Sequence, residues 1–292
     1  MKKDYVNIIL HRAKKVKNEA ASLPFEGLIK VLGLRPDGGE TVPYLIEQVK
    51  TGRVIETRKK YSARWHVKGI PRSDDINLTP EAMEKINQIN AERSLRWRIN
   101  ENFGEGDFHM VAGFEGEYSP DPFEAKKLFD NFIRRARNLY RREGLEFQYI
   151  FAMERGKRGR RKVHYHVVCN YIDPRKLNAI WTWGRLKFFP LDDTGQYADL
   201  AEYIIKRTSH TYKSGESPYK KRFSPSRNLK IPEPENEVVS RKRWLKEPKA
   251  IWGYYIEKDK TVNGISKVTG YPYQFYSMVQ IRPERKTVRK RE

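Results

Sequence analysis

The spacing of apolar residues predicts helices and strands that follow one another through the middle of the chain. Apolar side chains recur every three or four positions over residues 125–140, which is the pattern of one buried helix face. Asp121 and Glu124, three residues apart, have the spacing of a capping box at the start of this helix, and Gly144 marks its end. These signals predict an amphipathic helix between the two points.

An earlier helix is predicted to begin after Thr79. Threonine is a good N-cap, and the proline that follows it is favoured at the first helical position. The helix is expected to run to roughly Glu101, with Met83, Ile86 and Ile89 toward one side.

Alternating side chains predict strands around a basic turn. Residues 145–154 alternate with a period of two, as in a strand. Residues 155–162, RGKRGRRK, are charged and glycine-rich, which predicts a turn, so residues 163–170 return as the second strand of a hairpin. Residues 108–114 predict a further strand.

The order of these elements indicates the fold class. Residues 173–180 and 196–208 predict two more helices, so the central part of the chain runs strand, helix, strand, strand, helix, helix. This order favours an α+β fold with a largely antiparallel sheet and flanking helices.

The same pattern suggests three segments. We interpret residues 53–230 as the main domain, with its core at 105–208. Residues 1–52 are expected to be an accessory extension, because they carry no chemistry that can be named. Residues 231–292 are expected to form a basic and aromatic C-terminal region and tail, after a linker that contains Pro232.

Charge points to a polyanionic partner. The 59 Lys and Arg residues outnumber the 37 Asp and Glu residues, which leaves a net charge of +22. A field of this sign attracts nucleic acid, and the many aromatic residues fit single strands, whose bases stack on such rings. A protein that is merely basic remains the alternative at this point.

Cysteine content and hydropathy narrow the setting. Cys169 is the single cysteine, which excludes an intrachain disulfide and a CxxC zinc site, and it lies in an apolar run that favours a buried thiol. A signal peptide or a stretch of 18 apolar residues is missing from the sequence, so we expect a cytoplasmic protein with no membrane partner.

Two histidines on a predicted strand form a candidate metal site. His164 and His166 are two residues apart, so both face the same side of the strand. The hairpin would bring Glu154 approximately opposite His164. Two imidazoles and a carboxylate leave open positions for phosphate oxygens, which suits Mg²⁺ or Mn²⁺. His109 is a further candidate ligand, and a salt bridge to nearby arginines is the alternative role of Glu154.

A tyrosine on the last predicted helix is a candidate nucleophile. At about 100° per residue, Tyr197 falls within the apolar arc of this helix, whereas Tyr203 lies among charges. Lys206, three residues after Tyr203, shares its face and could offset charge on a phosphate. An ordinary exposed tyrosine and lysine would show the same spacing.

Basic and aromatic residues near these positions could steer and stack DNA, although the tryptophans fit a core equally well. The candidate DNA contacts are Arg155, Lys157, Arg158, Arg160, Arg161, Lys162, Trp183, Arg185 and Arg207.

The pattern His164-Tyr165-His166, followed by a helix with Tyr203 and Lys206 and preceded by a carboxylate, resembles the HUH endonucleases, which include rolling-circle replication initiators and relaxases. The resemblance covers about residues 105–208. The surrounding text, with ERGKRGRRKVHYHVV and YADLAEYIIKRT, is similar to initiators of plasmids, phages and integrative elements of Gram-positive bacteria. The strand HMVAGF departs from the usual threonine-rich form, and one well-placed tyrosine replaces a tandem pair.

The resemblance implies an RRM-like or ferredoxin-like palm, with His164, His166 and Glu154 as metal ligands, Tyr203 as nucleophile and Lys206 as the motif lysine. It implies that single-stranded DNA is nicked at an origin hairpin or nick site, which leaves a 5′-phosphotyrosine and a 3′ hydroxyl for rolling-circle synthesis. A host helicase and polymerase are the expected partners.

Three alternatives remain open on sequence grounds. A relaxase or a transposase of the same superfamily would have the same active residues. A non-catalytic, RRM-like nucleic-acid-binding protein would have the same fold, with incidental histidines.

Overall fold

The computed structural model describes residues 44–61, 79–115, 119–156, 162–239, 244–265 and 272–281. The chain divides into two compact units. The larger unit consists of residues 51–54 and 79–232, and the smaller unit combines residues 1–50, 55–78 and 233–292.

Strands and helices are numbered in chain order. The strands are β1 (Tyr44–Thr51), β2 (Val54–Tyr61), β3 (Phe108–Gly113), β4 (Tyr149–Arg155), β5 (Val163–Cys169), β6 (Leu186–Pro190), β7 (Ser224–Pro225), β8 (Glu235–Val239), β9 (Tyr254–Ile256), β10 (Val262–Ile265) and β11 (Pro272–Gln280). The α-helices are α1 (Pro80–Asn102), α2 (Pro122–Arg142), α3 (Pro174–Ile180) and α4 (Ala198–Lys213). A short 3₁₀ turn spans Lys258–Lys260.

The larger unit is built on a five-stranded antiparallel sheet. Its strands lie in the order β6-β3-β5-β4-β7, so β5 is the central strand. The predicted hairpin of β4 and β5 is confirmed, and in its register Glu154 is paired directly with His164. The predicted α+β fold with antiparallel sheets and flanking helices is likewise confirmed.

Helices cover both faces of this sheet. On one face, α2 packs against the strands, and the ring of Phe129 stacks on that of Tyr165 with centroids 3.7 Å apart. On the other face, α1 and α4 bury Ile99 and Ile204 against Val168 of β5. Because successive strand residues point to opposite faces, the two histidines beside Tyr165 face α4.

Local capping explains where two helices begin. The Thr79 hydroxyl accepts a hydrogen bond from the Ala82 amide at 3.2 Å at the start of α1. Asp121 Oδ1 accepts from the amides of Phe123 and Glu124, at 2.7 and 2.9 Å, at the start of α2. Both predicted helix starts are therefore confirmed.

Some details of the predicted elements are wrong. In α1, Met83 and Ile89 are exposed, whereas Leu95 and Ile99 enter the core, because only the second half of this helix packs closely on the sheet face. Helix α4 continues to Lys213 instead of ending near Thr208. The strand β6 was not predicted.

The smaller unit is a separate sheet with the order β10-β11-β2-β1-β8, and β9 also pairs with β11. Strands from the first fifth of the chain therefore share a sheet with strands from its end. One of its cores joins Tyr44 and Tyr61 to Trp244, with edge or tilted ring contacts. The boundaries proposed for the segments 1–52 and 231–292 stay a prediction, but strand pairing between their ends was not foreseen.

In the part of the chain that the structure covers, helices are too short or too polar to cross a bilayer.

Candidate active site

Three histidines and one carboxylate gather on the face of the sheet that α4 covers. His166, on β5, is buried with 2% of its surface exposed. Its Nε2 lies 2.9 Å from Oε2 of Glu154, and its Nδ1 lies 3.1 Å from Nε2 of His109 on β3. Both ring nitrogens of His166 are thus engaged, which fixes the plane of the ring.

The proton positions in this chain of groups follow from the carboxylate. An ionised Glu154 can only accept, so His166 donates Nε2–H to it, and His166 Nδ1 then accepts from His109 Nε2–H. The imidazole of His109 can also reverse this role, because either ring nitrogen can carry the proton.

Glu154 is held in its ionised form. Burial by itself would raise the pKa of this carboxyl, but the hydrogen bond with His166, the charge of His166 and the charge of Arg207 outweigh burial and lower the pKa below its ordinary value. Arg207 Nη2 lies 3.0 Å from Glu154 Oε1. Each carboxylate oxygen therefore has its own nitrogen partner.

His109 is neutral at physiological pH. Burial, and to a lesser degree the neighbouring His166, lowers the pKa of His109 to about 3. Its ring stacks on Phe189 of β6, with centroids 5.6 Å apart. A strand that the sequence analysis missed thus forms one wall of this cluster.

His164 lies at the more open end of the cluster. It is half-buried, and burial lowers its pKa despite the nearby charge of Glu154. Its ring lies over Gly113, the residue paired with it in β3: a Cβ at Gly113 would sit 3.0 Å from Cδ2 of His164. Glycine at this position leaves room for the imidazole.

Tyr203 of α4 stands beside these rings and is 45% exposed. Its ring is edge-on to His166 at 5.6 Å and to His109 at 6.1 Å between centroids. Tyr197 is buried, as predicted, and its hydroxyl donates to the Asp192 carbonyl at 2.9 Å. Of these two tyrosines, only Tyr203 presents its ring to both solvent and the histidine cluster.

The cation that reaches the cluster from α4 is Arg207. Lys206 forms an ion pair with Glu202 one turn earlier on the exposed side of the helix, and Glu202 raises its pKa. Arg207 is about 40° from Tyr203 around the helix axis, against about 60° for Lys206. The sequence analysis had named Arg207 only as a candidate DNA contact.

The other candidate DNA contacts have varied surroundings. Arg155 pairs with Glu216 at 3.1 Å, and Arg185 pairs with Glu115 at 2.6 Å. Trp183 packs against the core and its ring is contacted by Arg135. Lys162 is partly exposed. Lys157, Arg158, Arg160 and Arg161 lie outside the described residues.

Cys169 is fully buried, and burial raises the pKa of its thiol, as expected for a structural cysteine.

The donor chemistry of the cluster suits a divalent ion, although no three His, Cys, Asp or Glu side chains within the described ranges are arranged as a metal-binding group. Nε2 of His166 and Oε2 of Glu154 face each other at 2.9 Å. Neighbouring ligands of an octahedral ion, each about 2.1 Å from it, are separated by about 3 Å. These two atoms therefore have a separation that a shared ion would require.

Comparison with known proteins gives one match. Residues 117–210 match a family model of replication-associated proteins, the ORF2 family. No significant match exists among curated proteins or among solved structures. The matched region is less than half of the chain, but it includes Glu154, His164, His166 and Tyr203. This part of the chain is therefore similar to replication-associated proteins, which is consistent with a replication initiator.

Proposed function

We propose that this protein is a replication initiator that nicks single-stranded DNA at an origin, with Tyr203 as the nucleophile. One observation carries the proposal: the exposed Tyr203 ring lies beside a buried cluster of His109, His166 and Glu154. A phenol in this position is open to a DNA strand, and it has polar and charged groups on its inner side.

The proposed reaction is a transesterification. Tyr203 Oη forms a bond to the phosphorus of the scissile phosphodiester, and the bond from phosphorus to the 3′ oxygen breaks. The products are a 5′-phosphotyrosine and a free 3′ hydroxyl, which takes up the proton that the phenol loses in the net reaction. The 3′ hydroxyl would then prime rolling-circle synthesis by a host polymerase, with a host helicase opening the duplex.

His164, His166 and Glu154 are the proposed ligands of Mg²⁺ or Mn²⁺, with His109 as a further candidate. When bound, such an ion supplies a positive charge that stabilises the negative charge developing on the phosphate oxygens. The ionised state of Glu154 and the fixed ring of His166 favour binding, because ligands must be deprotonated and oriented.

Two cations on α4 are candidates for holding the DNA phosphate. Arg207 is close to Glu154 and 54% of its side chain is exposed, so it can meet both the carboxylate and a strand. Lys206, the lysine expected from the family resemblance, stays a prediction. Around the site, Arg155, Lys162 and Arg185 are proposed to attract the strand.

The decisive experiment detects a covalent complex. Purified protein is incubated with labelled single-stranded origin oligonucleotides and Mn²⁺, and the products are separated on a denaturing SDS gel. We expect a labelled band at the mass of protein plus DNA. The variant Tyr203→Phe should lose this band and keep its affinity for DNA, because only the nucleophilic oxygen is removed.

The matched control is Tyr212→Phe. Tyr212 lies nine positions further along α4, half a turn around the helix, and its ring is contacted by Arg222. Tyr212→Phe should form the adduct at the wild-type rate. An adduct that persists in Tyr203→Phe would refute the nucleophile, and the lack of any adduct with origin DNA would favour a non-catalytic nucleic-acid-binding protein.

A further inference from the structure

A cavity in the larger unit is lined by side chains that have no part in the proposed reaction. It has a volume of about 400 Å³ and lies between α1, the end of α4 and residues 220–225. Its walls include Ser94 and Arg98 from α1 and Tyr212 from α4. Tyr212 is half a turn around α4 from Tyr203, so the cavity lies on a different side of this helix from the histidine cluster.

The lining of this cavity carries an excess of positive charge. Arg98, Lys220, Lys221 and Arg222 all contribute to it, whereas Glu84 is its one acidic residue. Glu84 is already neutralised by ion pairs with Arg222 and with Lys213. An anion that enters would therefore meet cations with little competing negative charge.

Two of these cations are held in place by aromatic rings. The guanidinium of Arg222 lies 4.5 Å from the ring centroid of Tyr212, and that of Arg98 lies 5.8 Å from that of Phe223. Such stacking orders a guanidinium before any ligand arrives, which lowers the entropy lost on binding. It leaves the planar edge of the group free for oxygen atoms.

The same two guanidinium groups have donors that no protein atom satisfies. Nε of Arg98 and Nη1 of Arg222 are buried without a hydrogen-bond acceptor among the described residues, and only 7% of the Arg222 side chain is exposed. Buried donors without acceptors are unfavourable. A ligand with several acceptor oxygens would relieve this cost after a small rotation of the side chains.

We propose that this cavity binds the phosphate group of a nucleotide, with Arg98 and Arg222 as the principal donors and Lys220 and Lys221 at its rim. Phosphate offers the acceptor oxygens and the negative charge that paired arginines recognise. A volume of about 400 Å³ lies within the range of small-ligand sites. The nucleotide could come from a DNA strand or from a free mononucleotide. The inference does not depend on Tyr203 being a nucleophile.

Calorimetric titrations test the site in the full chain with Tyr203→Phe, so that DNA is not cleaved. The probes are dTMP, thymidine and the oligonucleotide dT8. We expect Arg98→Gln to weaken binding of at least one phosphate-bearing probe by about tenfold or more, because a charged, bidentate donor is lost. Thymidine, which lacks phosphate, should not bind in the cavity.

The control variant is Lys127→Gln with Arg134→Gln, two exposed positions of α2 on the opposite face of the sheet. It removes more positive charge than Arg98→Gln but should change affinity less than twofold. Lys220→Gln with Lys221→Gln is a second test variant at exposed positions, useful if Arg98→Gln does not fold.

The pattern of results distinguishes the sources. Weakening for dT8 alone assigns the site to a strand, and weakening for dTMP alone assigns it to a free nucleotide. The proposal is overturned if cavity variants bind both probes as tightly as the α2 control variant. It is also overturned if thymidine binds the cavity as tightly as dTMP.

Discussion

Arg207 Nη2 lies 3.0 Å from Oε1 of the buried Glu154 carboxylate. The arginine is exposed on α4, whereas the carboxylate belongs to β4, so the ion pair links the helix of the candidate nucleophile to the strand of a candidate ligand. This pairing keeps Glu154 charged and leaves its other oxygen to His166. Arg207 is thereby placed to affect both parts of the proposed site.

Arg207→Gln should lower the rate of adduct formation by about tenfold or more, because a buried carboxylate loses its cationic partner. Lys206→Gln is the matched change one position earlier, and it should have a smaller effect, since Lys206 is exposed and paired with Glu202. Single-turnover assays with labelled oligonucleotide measure both rates. A larger loss with Lys206→Gln would instead support the role that the family resemblance assigns to this lysine.

Removal of divalent ions should abolish adduct formation. We expect EDTA to stop the reaction and an excess of Mn²⁺ or Mg²⁺ to restore it. Calorimetry should also show that Glu154→Gln weakens Mn²⁺ binding by about tenfold or more, because a charged ligand is replaced by a neutral amide. Glu216→Gln, at a carboxylate that pairs with Arg155, should bind Mn²⁺ as the wild type does. Nicking that is insensitive to EDTA would argue against the metal site.

His109 should make the fold sensitive to mild acid. Its folded-state pKa, about 3, lies below the unfolded value of about 6.5, so its contribution is fully present above pH 6.5 and is lost as pH falls toward 3. At pH 5 the loss is about 2 kcal/mol. His109→Gln keeps a hydrogen-bonding group without this titration. Urea unfolding in EDTA at pH 7.5 and pH 5 should therefore show a smaller drop for the variant, and equal drops would contradict the burial argument.

Gly113→Ala should disturb the site more than the fold. The new Cβ would lie 3.0 Å from His164 Cδ2, so the ring must shift by a few tenths of an ångström. We expect weaker Mn²⁺ binding and slower adduct formation, because displacements of a ligand on this scale are costly for function. Gly104→Ala is the control, since its Cβ would have no neighbour within 4 Å. Equal activity of the two variants would show that the position of His164 is not critical.

Local sequence pattern was sufficient for much of the larger unit. The caps at Thr79 and Asp121, and the basic turn between β4 and β5, depend on residues close together in the chain, so their signals can be read directly. The hairpin register that pairs Glu154 with His164 follows from the turn for the same reason. Helical periodicity was also enough to separate the buried Tyr197 from the exposed Tyr203.

Tertiary structure alone decided the remaining relationships. The contacts of His109 with His166 and of Arg207 with Glu154 join residues more than 50 positions apart, and a periodic pattern does not record such distances. The pairing of β1 and β8 is longer still in sequence. The sequence by itself determined which side chains could do chemistry and which face of each element they occupy. Packing of α4 on the sheet determined which of them meet, because only burial brings their polar groups within hydrogen-bonding distance.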